Sequence, residues 1–351
     1  MRVTPHLAAV GTAVPTHDIH TAFVDWAEQR LCDREARVFA RMAARSGIMH
    51  RWSVLPAEHG SPVGTTGFYA AEPHPGTAAR MALYAQAAPA LALAAIANLR
   101  TQVALDGITH LVVASCTGFV APGVDQILAR ALDLPGSVER TLIGFMGCYA
   151  AIAALRTARH IVRSEPAARV LVVTVELSTL HLQADRMLEP LLAMLQFGDG
   201  AAAALVTAIP QGLAIGQPFS ATLPDAAGLI RWDITDRGFA MHLSGEVPGR
   251  IGAALRDPAL MATLTAGRPV DRWAVHAGGR SILDAVEHAF ALPADALEDS
   301  RAVLAENGNM SSATLMFVLA RVLAGSPVEH GIALAFGPGL AAEGLAFASA
   351  A

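Results

Sequence analysis

Cys148 is the residue whose setting in this sequence most favours nucleophilic chemistry. It follows a predicted strand that ends in glycine, and it precedes an Ala-rich segment, residues 149–162, that is predicted to be a helix. The N–H groups and the positive dipole end of a helix stabilise a thiolate, which is the reactive form of cysteine. A buried, inert cysteine is the competing interpretation, and the local pattern alone leaves both open.

His276 is the first candidate partner for such a nucleophile. It lies near the end of a predicted strand, residues 272–277, directly before Gly278. Functional side chains in α/β sheets usually lie at the carboxyl ends of the strands. An imidazole there could pair with a thiolate and act as a hydrogen-bond donor or acceptor. The chain has 13 histidines, so position alone does not single this one out.

Asn309 is the second candidate partner. It stands shortly before a long apolar segment, residues 312–323, that is predicted to be a helix. Capping of that helix is the simplest interpretation of an Asn and Ser cluster. The same position would also aim an amide donor at a cleft, where the donor could stabilise negative charge that develops on an oxygen.

The elements that must position these residues alternate along the chain. Short runs rich in Val, Ile and Leu are separated by longer segments rich in Ala, Leu and Arg, which predicts an α/β fold with strands buried between helices. The remaining predicted strands are residues 110–115, 141–147, 169–176, 201–208 and 331–336, and a further helix is predicted at residues 281–290.

A stretch punctuated by Gly and Pro, residues 210–225, separates two halves with this rhythm. We therefore predict an N-terminal half, residues 1–209, that carries the cysteine, and a C-terminal half, residues 210–351, that carries the histidine and the asparagine. Because the separating stretch is short and apolar, the two halves are expected to pack against each other. Residues 56–75 are predicted to form a surface loop.

Composition excludes several classes of protein. Hydrophobic residues make up 53% of the 351 residues and charged residues 16%, which favours a folded core over disorder. The net charge of −5 and the absence of a basic run argue against a nucleic-acid partner. All 25 basic residues are Arg, so no Schiff-base or P-loop lysine is available.

The cysteines and the N-terminus indicate the cellular location. Cys32, Cys116 and Cys148 form neither a disulfide framework nor a zinc module, which favours a reducing, cytoplasmic setting. The first residues lack the pattern of a signal peptide, and the strongest apolar stretch, residues 87–97, is interrupted by Pro89. We expect no association with a membrane.

Five short motifs together resemble one enzyme family. They are GFMGC at Cys148, FGDGAA at Phe197, WAVHAGG at His276, GNMSSAT at Asn309 and FGPG at Phe336. In order and spacing, over residues 10–345, they are similar to the chalcone synthase-like, or type III, polyketide synthases. The resemblance implies a thiolase-like, five-layered αβαβα fold of two similar halves, a homodimer, and chemistry without a metal or redox cofactor.

The resemblance also implies roles for these residues. Cys148 would accept an acyl starter from coenzyme A, and His276 and Asn309 would bind the thioester carbonyl of malonyl-CoA. Because an enolate forms when carbon dioxide leaves, two preorganised donors fit that task. His276 would in addition stabilise the Cys148 thiolate as an ion pair.

Further positions are assigned to substrate by the same resemblance. Phe197 and Met241 match two phenylalanines that, in plant members, guard the junction between the coenzyme A tunnel and the cavity. Cys116, His181 and Ser311 are expected to bind substrate in the cavity. At the nucleotide end, Arg45 and Arg51 are expected to bind the phosphates of coenzyme A.

Departures from the plant pattern leave the substrate open. Met241 stands where plant enzymes have Phe, and both Cys116 and His181 stand where they have Thr. Because methionine is flexible, a fatty acyl starter giving an alkylpyrone or alkylresorcinol is the first expectation. Malonyl-CoA acting as its own starter comes second and an aromatic starter third.

Two other functions fit the same three polar residues. A β-ketoacyl-ACP synthase III would carry out one condensation on carrier-bound malonate, but GNMSSA differs from the GNTSAA-like sequence expected there, and the chain is longer. A non-catalytic partner subunit of another synthase is disfavoured because all three residues are retained.

Overall fold

The computed structural model describes residues 3–55, 63, 67–70 and 73–350. The strands are β1 (His6–Ala13), β2 (His17–Asp18), β3 (Trp52–Ser53), β4 (His110–Ser115), β5 (Glu139–Gly144), β6 (Val170–Leu177), β7 (Asp199–Thr207), β8 (Leu213–Thr222), β9 (Ile230–Thr235), β10 (Gly238–Leu243), β11 (Arg272–Val275), β12 (Gly331–Gly337) and β13 (Ala341–Ser349). The helices are α1 (His20–Glu28), α2 (Asp33–Arg45), α3 (Thr77–Arg100), α4 (Val124–Ala131), α5 (Ala150–Ser164), α6 (Leu188–Met194), α7 (Val247–Leu255), α8 (Pro258–Thr265), α9 (Arg280–Ala289), α10 (Glu298–Asn307) and α11 (Ser312–Ala324). A 3-10 turn, Ser178–His181, follows β6.

Nine strands form one continuous sheet in the order β11-β12-β13-β8-β1-β7-β6-β4-β5. The N-terminal half contributes β1, β7, β6, β4 and β5, and the C-terminal half contributes the other four. The halves meet where β1 and β8 pair, and this pairing involves only His6 with Ala214 and Leu7 with Leu213. Strands β9 and β10 form a separate antiparallel pair.

Alternating faces of the strands build three apolar clusters, and these clusters define the layers. Val112 and Ala114 of β4 face the central cluster, while Leu111 and Val113 face the outer one, as the two-residue period of a strand requires. Helices α5 and α11 fill the central layer between the two halves. Helices α1 to α4 cover one outer face, and α7, α9 and α10 cover the other. The five-layered αβαβα arrangement predicted from the sequence is therefore confirmed.

Most predicted elements lie within a few residues of the observed ones, with two informative differences. Strand β5 ends at Gly144, so residues 145–149 form a turn that leads into α5. The separating stretch, residues 210–225, consists mainly of β8, which pairs with β13 inside the C-terminal sheet. The division between residues 209 and 210 stays a prediction.

The predicted surface loop, residues 56–75, lies largely outside the described residues. Val63 and Tyr69, which are described, are both buried.

Helix α3 is, among the described residues, the one helix whose length and apolar composition would allow it to cross a membrane. Its residues Tyr84, Ala88, Ala92 and Ile96 are buried in the outer cluster of the N-terminal half. Burial of this face against a sheet is what a core helix requires. We therefore interpret α3 as a core helix.

Candidate active site

Three distant stretches of chain meet at one cavity of about 890 Å³. Cys148 lies in the turn before α5, His276 directly follows β11, and Asn309 lies between α10 and α11. All three line this cavity. The N-terminal half thus supplies a sulfur, and the C-terminal half supplies an imidazole and an amide.

The turn that carries Cys148 is shaped by close packing against the FGPG loop. Gly147 has φ +80°, and a Cβ there would lie 2.5 Å from Cδ of Pro338. A Cβ on Gly337 would lie 2.7 Å from the Tyr149 ring and 3.4 Å from the backbone N of Cys148. Only glycine allows both the backbone conformation and the close approach.

Burial raises the pKa of the Cys148 thiol to about 11. Hydrogen bonds from the side chains of Ser311 and Asn309 act in the opposite direction, but they do not outweigh the loss of water. The sulfur is therefore a thiol at neutral pH, although the position before a helix favours a thiolate.

His276 differs from the sequence-based expectation in the same way. Its side chain is buried, with 1% of the residue exposed, and neither ring nitrogen has a hydrogen-bond partner among the described residues. Burial lowers the pKa of this imidazole to about 3. Both pKa shifts favour a neutral thiol and a neutral imidazole over the thiolate–imidazolium pair, which stays a prediction.

The Asn309 amide has one orientation that its contacts allow. The backbone N–H of Ser311 donates to Oδ1 over 2.8 Å, so Oδ1 is the acceptor and Nδ2 carries the protons. Nδ2 donates one of them to the carbonyl of Gly278 over 3.3 Å. The second N–H is the one that bonds the Cys148 sulfur, and a ligand in the cavity could accept it instead. Ser311 has φ +48°, a strained backbone for a residue with a side chain.

A buried carboxylate, which sequence reasoning missed, organises the residues beneath Cys148. Glu176 accepts hydrogen bonds from the backbone N of Cys116 and from Oγ1 of Thr117, both over 2.9 Å, and from the hydroxyl of Ser312. Burial raises the pKa of Glu176 to about 7, and these hydrogen bonds oppose that rise. A lone carboxylate in strand β6, whose other residues are apolar apart from Thr174, was the available sequence signal.

Four of the residues assigned to substrate line the main cavity. They are Phe197, Met241, Cys116 and Ser311. Trp232, which was not singled out from the sequence, also lines it, and its Nε1–H donates to the carbonyl of Cys116 over 3.0 Å.

The opening of the cavity is marked by lining residues that are exposed. Met42 is 50% exposed, and Arg45 and Arg280 are exposed beside it. Nη1 of Arg280 donates to the backbone carbonyl of Arg45 over 3.2 Å, so the two arginines are neighbours at the opening. Arg45 is therefore placed where a phosphate could reach it from solvent.

His181 does not line the main cavity. Its Nε2–H donates to the carbonyl of Thr117 over 2.6 Å, its Nδ1 accepts from the backbone N of Phe239 over 3.0 Å, and its ring stacks on Phe239 at 4.1 Å. It lines a second cavity of about 140 Å³. Trp232 and Met241 line both this cavity and the main one. Because both ring nitrogens are already bonded to protein, its contacts are structural rather than directed at substrate.

Arg51 contradicts its assignment to coenzyme A. It is 1% exposed, and its guanidinium donates to the backbone carbonyls of Met194 and Phe197. A phosphate arriving at the cavity opening would not reach it. The resemblance suggested a phosphate site because Arg51 lies close in sequence to Arg45, which occupies a position where relatives have a basic residue near the nucleotide phosphates.

A possible cation-binding group lies elsewhere. His110, Glu139 and Glu165 bring ligand atoms within 4.8 Å of one another. His110 and Glu139 begin β4 and β5, whereas Cys148 follows the other end of β5. Both carboxylates are exposed, which is common without an ion, so we assign no metal to them.

Comparison with known proteins finds one family that matches nearly the whole chain. Residues 3–210 match the N-terminal domain of chalcone and stilbene synthases, and residues 217–351 match the C-terminal domain. The protein named alpha-pyrone synthesis polyketide synthase-like Pks18 from Mycobacterium tuberculosis is 34% identical over 252 residues, which are 68% of this chain. The aligned part spans 64% of the length of that relative, and a protein of the same name from Mycobacterium bovis matches equally.

Solved structures agree as well. PKS-I from the brown alga Ectocarpus siliculosus superposes with a TM-score of 0.89 at 29% identity, covering 99% of both chains. The C-terminal type III polyketide synthase domain of Steely1, a type I/III hybrid from Dictyostelium, gives the same TM-score at 25% identity and covers 99% of this chain and 100% of its own.

Proposed function

Because this chain belongs to the chalcone and stilbene synthases, the type III polyketide synthases, we propose that it is an acyltransferase that extends an acyl starter with malonyl-CoA. The observation that carries this proposal is the meeting of Cys148, His276 and Asn309 at one cavity. The steps transfer acyl groups and protons between thioesters, so they require no redox equivalent.

Loading begins at the sulfur. The Cys148 thiol attacks the thioester carbonyl of an acyl-CoA while the neutral His276 ring takes the thiol proton. Coenzyme A leaves as a thiol after it receives that proton, and the acyl group stays on Cys148. A neutral imidazole suits this step because an imidazolium could not accept the proton.

Extension then uses the two donors of the C-terminal half. The thioester oxygen of malonyl-CoA accepts hydrogen bonds from Nδ2 of Asn309 and from an N–H of His276. Loss of carbon dioxide places negative charge on that oxygen, where fixed donors in a dry cavity have most effect. The enolate carbon attacks the carbonyl of the Cys148 thioester, and the bond from that carbonyl to the Cys148 sulfur breaks, so the sulfur leaves and takes up a proton. The chain, longer by two carbons, is then a thioester of coenzyme A and returns to Cys148 for the next cycle. Repetition and cyclisation would give a pyrone or a resorcinol or phloroglucinol-type product.

The first-choice starter is a fatty acyl group, with an alkylpyrone or alkylresorcinol as product. Support comes from the apolar side chains that line the cavity, including Leu192, Leu195 and Ile251, and from the flexible Met241. Pks18 is named for alpha-pyrone synthesis. Malonyl-CoA as its own starter and an aromatic starter are the two rivals.

At the opening, Arg45 would bind the phosphates of coenzyme A. An exposed guanidinium can hold a phosphate through two parallel hydrogen bonds. Arg280 lies beside it and would add to the positive charge, although Asp284 is 3.6 Å from its Nε.

The deciding experiment incubates the purified protein with malonyl-CoA and, separately, hexanoyl-CoA, lauroyl-CoA, benzoyl-CoA or no starter, followed by mass spectrometry. Triketide or tetraketide pyrones from the fatty acyl starters would support the proposal, and Cys148→Ala is the control. Products from malonyl-CoA alone would favour the first rival. A single condensation that occurs only with carrier-bound malonate would contradict the function.

We also propose that the protein is a homodimer that pairs through the edge strand β5. Leu142 in this strand is 48% exposed, and the exposed rings of Phe119 and Phe145 lie 5.8 Å apart next to it. Apolar side chains along an unpaired strand edge favour association. Light scattering should give about twice the chain mass of 36.5 kDa, and Leu142→Glu should shift it toward the monomer.

A further inference from the structure

The Arg51 guanidinium binds backbone carbonyl groups at the end of α6 and in the turn that follows it. Its Nη1 donates to the carbonyl of Met194 over 3.1 Å and to the carbonyl of Phe197 over 3.0 Å. Met194 is the last residue of α6, and the final carbonyls of a helix lack donors within the helix. A cation there satisfies them and is favoured by the helix dipole. The turn that carries Phe197 is thus fixed by one buried guanidinium.

The same turn forms hydrogen bonds with both the backbone N–H and the backbone carbonyl of Asn309. The N–H of Asn309 donates to the carbonyl of Gln196 over 2.8 Å, and the N–H of Gly198 donates to the carbonyl of Asn309 over 3.0 Å. These bonds form an isolated bridge between Phe197 and Asn309. Any displacement of the turn would therefore displace Asn309.

The aliphatic part of Arg51 packs between the two segments. Gly308 has φ +67°, and a Cβ there would lie 2.9 Å from Cγ of Arg51 and 2.9 Å from the carbonyl oxygen of Gln196. A Cβ on Gly198 would lie 3.5 Å from Cβ of Arg51. The side chain therefore fixes the spacing between the segments as well as their hydrogen bonds.

Arg51 is itself anchored at its other end. Its Nε–H donates to Nδ1 of His20 over 3.1 Å, and its backbone N–H donates to Oδ1 of Asp18 over 3.2 Å. Its carbonyl accepts from the N–H of Ile19 over 2.8 Å. These contacts tie the guanidinium to the start of α1 and the backbone of Arg51 to the end of β2, and neither lines the main cavity.

We propose that Arg51 is a positioning residue for decarboxylation, which keeps the Asn309 amide aligned with the thioester oxygen of malonyl-CoA through the turn at Phe197. The inference rests on the proposed role of Asn309. Arg51 does not line the main cavity, so it acts through another residue rather than on the substrate. A misplacement of about 1 Å can cost about 10²-fold in rate.

The test compares Arg51→Met and Arg51→Lys with a second buried arginine. Arg80 is 0% exposed, and its Nη1 donates to the carbonyls of Leu180 and Leu182, which lie outside the bridge to Asn309. Arg80→Met therefore removes an equivalent buried cation from another turn. Malonyl-CoA decarboxylation, thermal unfolding and alkylation of Cys148 are measured for each variant and for Asn309→Ala.

Arg51→Met is expected to lower kcat for decarboxylation by about 10- to 100-fold with KM changed less than about threefold. Alkylation of Cys148 should change less than about tenfold, because Asn309 supplies only one of the hydrogen bonds that lower the pKa of this thiol. Arg51→Lys keeps one donor and should recover part of kcat. Arg80→Met should lose comparable stability but keep kcat within about threefold of the wild type.

Each other outcome has a definite meaning. Wild-type kcat in Arg51→Met, or an equal fall in Arg80→Met, would overturn the positioning role while leaving the function intact. If Arg51→Met does not fold, wild-type kcat in Arg51→Lys overturns the inference. Absence of decarboxylation in the wild type would instead overturn the proposed function.

Discussion

The surroundings of the sulfur and of the imidazole in the cavity are built in opposite ways. Beneath Cys148, the carboxylate of Glu176 ties Cys116, Thr117 and Ser312 together by hydrogen bonds. Across the cavity, the His276 ring has no hydrogen-bond partner among the described residues. A sulfur that must stay in place gains from a rigid, bonded floor, whereas an imidazole that exchanges protons and binds substrate needs free nitrogens. The contrast predicts that formation of extended products, which needs Cys148, and decarboxylation, which needs His276 and Asn309, can be abolished separately.

The largest effect is expected from Cys148→Ala. Without a sulfur to carry the acyl group, formation of extended products should fall by at least about 10³-fold. Decarboxylation of malonyl-CoA needs only the C-terminal side and should stay within about tenfold of the wild type. Mass spectrometry of products and release of carbon dioxide measure the two activities. If both vanish together, the two sides act as one unit.

Asn309→Ala should give the reverse pattern. Loss of one donor to the developing enolate is expected to lower decarboxylation by about 10²- to 10³-fold. Cys148 alkylation by iodoacetamide should change less than about tenfold, because the Ser311 hydrogen bond to the sulfur remains. Asn307→Ala is the matched control, because its Nδ2 donates to the carbonyl of Val303 and does not face the cavity. Equal losses in both variants would argue for a general packing defect.

The protonation state of the pair gives a third test. With the pKa of the Cys148 thiol at about 11, the thiolate fraction and the alkylation rate should rise about tenfold per pH unit between pH 6 and 9. The rate should be measured in a Cys32→Ser, Cys116→Ser background so that one thiol reports. A rate independent of pH over this range would instead indicate a thiolate that is paired with a protonated His276.

The smallest expected effect is the pH dependence of the free energy of unfolding that comes from Glu176. Because burial raises the pKa of Glu176 in the folded protein from 4.5 to about 7, the folded state binds this proton more tightly than the unfolded state. The stability from this group is therefore present below about pH 4.5 and is lost as the pH rises through about 7. That loss is on the order of 1–3 kcal/mol.

Unfolding in urea at pH 5 and pH 8 checks this sign. Glu176→Gln should show a smaller decrease in the free energy of unfolding between the two pH values than the wild type. Glu343→Gln is the control, since Glu343 is a buried carboxylate whose partner is Arg156. An unchanged decrease in Glu176→Gln would assign the pH dependence to other groups.

The sequence predicted what local patterns and motif order encode. Apolar runs such as residues 110–115 predicted strands because a strand buried on both faces needs apolar side chains throughout. The five motifs named Cys148, His276 and Asn309, and the fold brings these three to one cavity.

What escaped prediction depends on partners far along the chain. The burial of Arg51 depends on carbonyls at positions 194 and 197, which no pattern near residue 51 encodes. The raised pKa of the Cys148 thiol follows from burial among residues of both halves, which the local pattern of a strand, a glycine and a helix does not encode. Glu176 was visible only as a charge within an apolar strand.

The narrow seam between β1 and β8 has a consequence for variants remote from the chemistry. Since only two residue pairs join the halves there, the stacking of α5 on α11 largely sets how sulfur and amide are spaced. An enlarged side chain at Ala154, on the buried face of α5, would wedge the sheets apart and lengthen the distance the reacting carbon must cross. Tolerance to larger side chains should therefore be lowest where α5 and α11 pack between the two halves, even at positions that do not contact substrate.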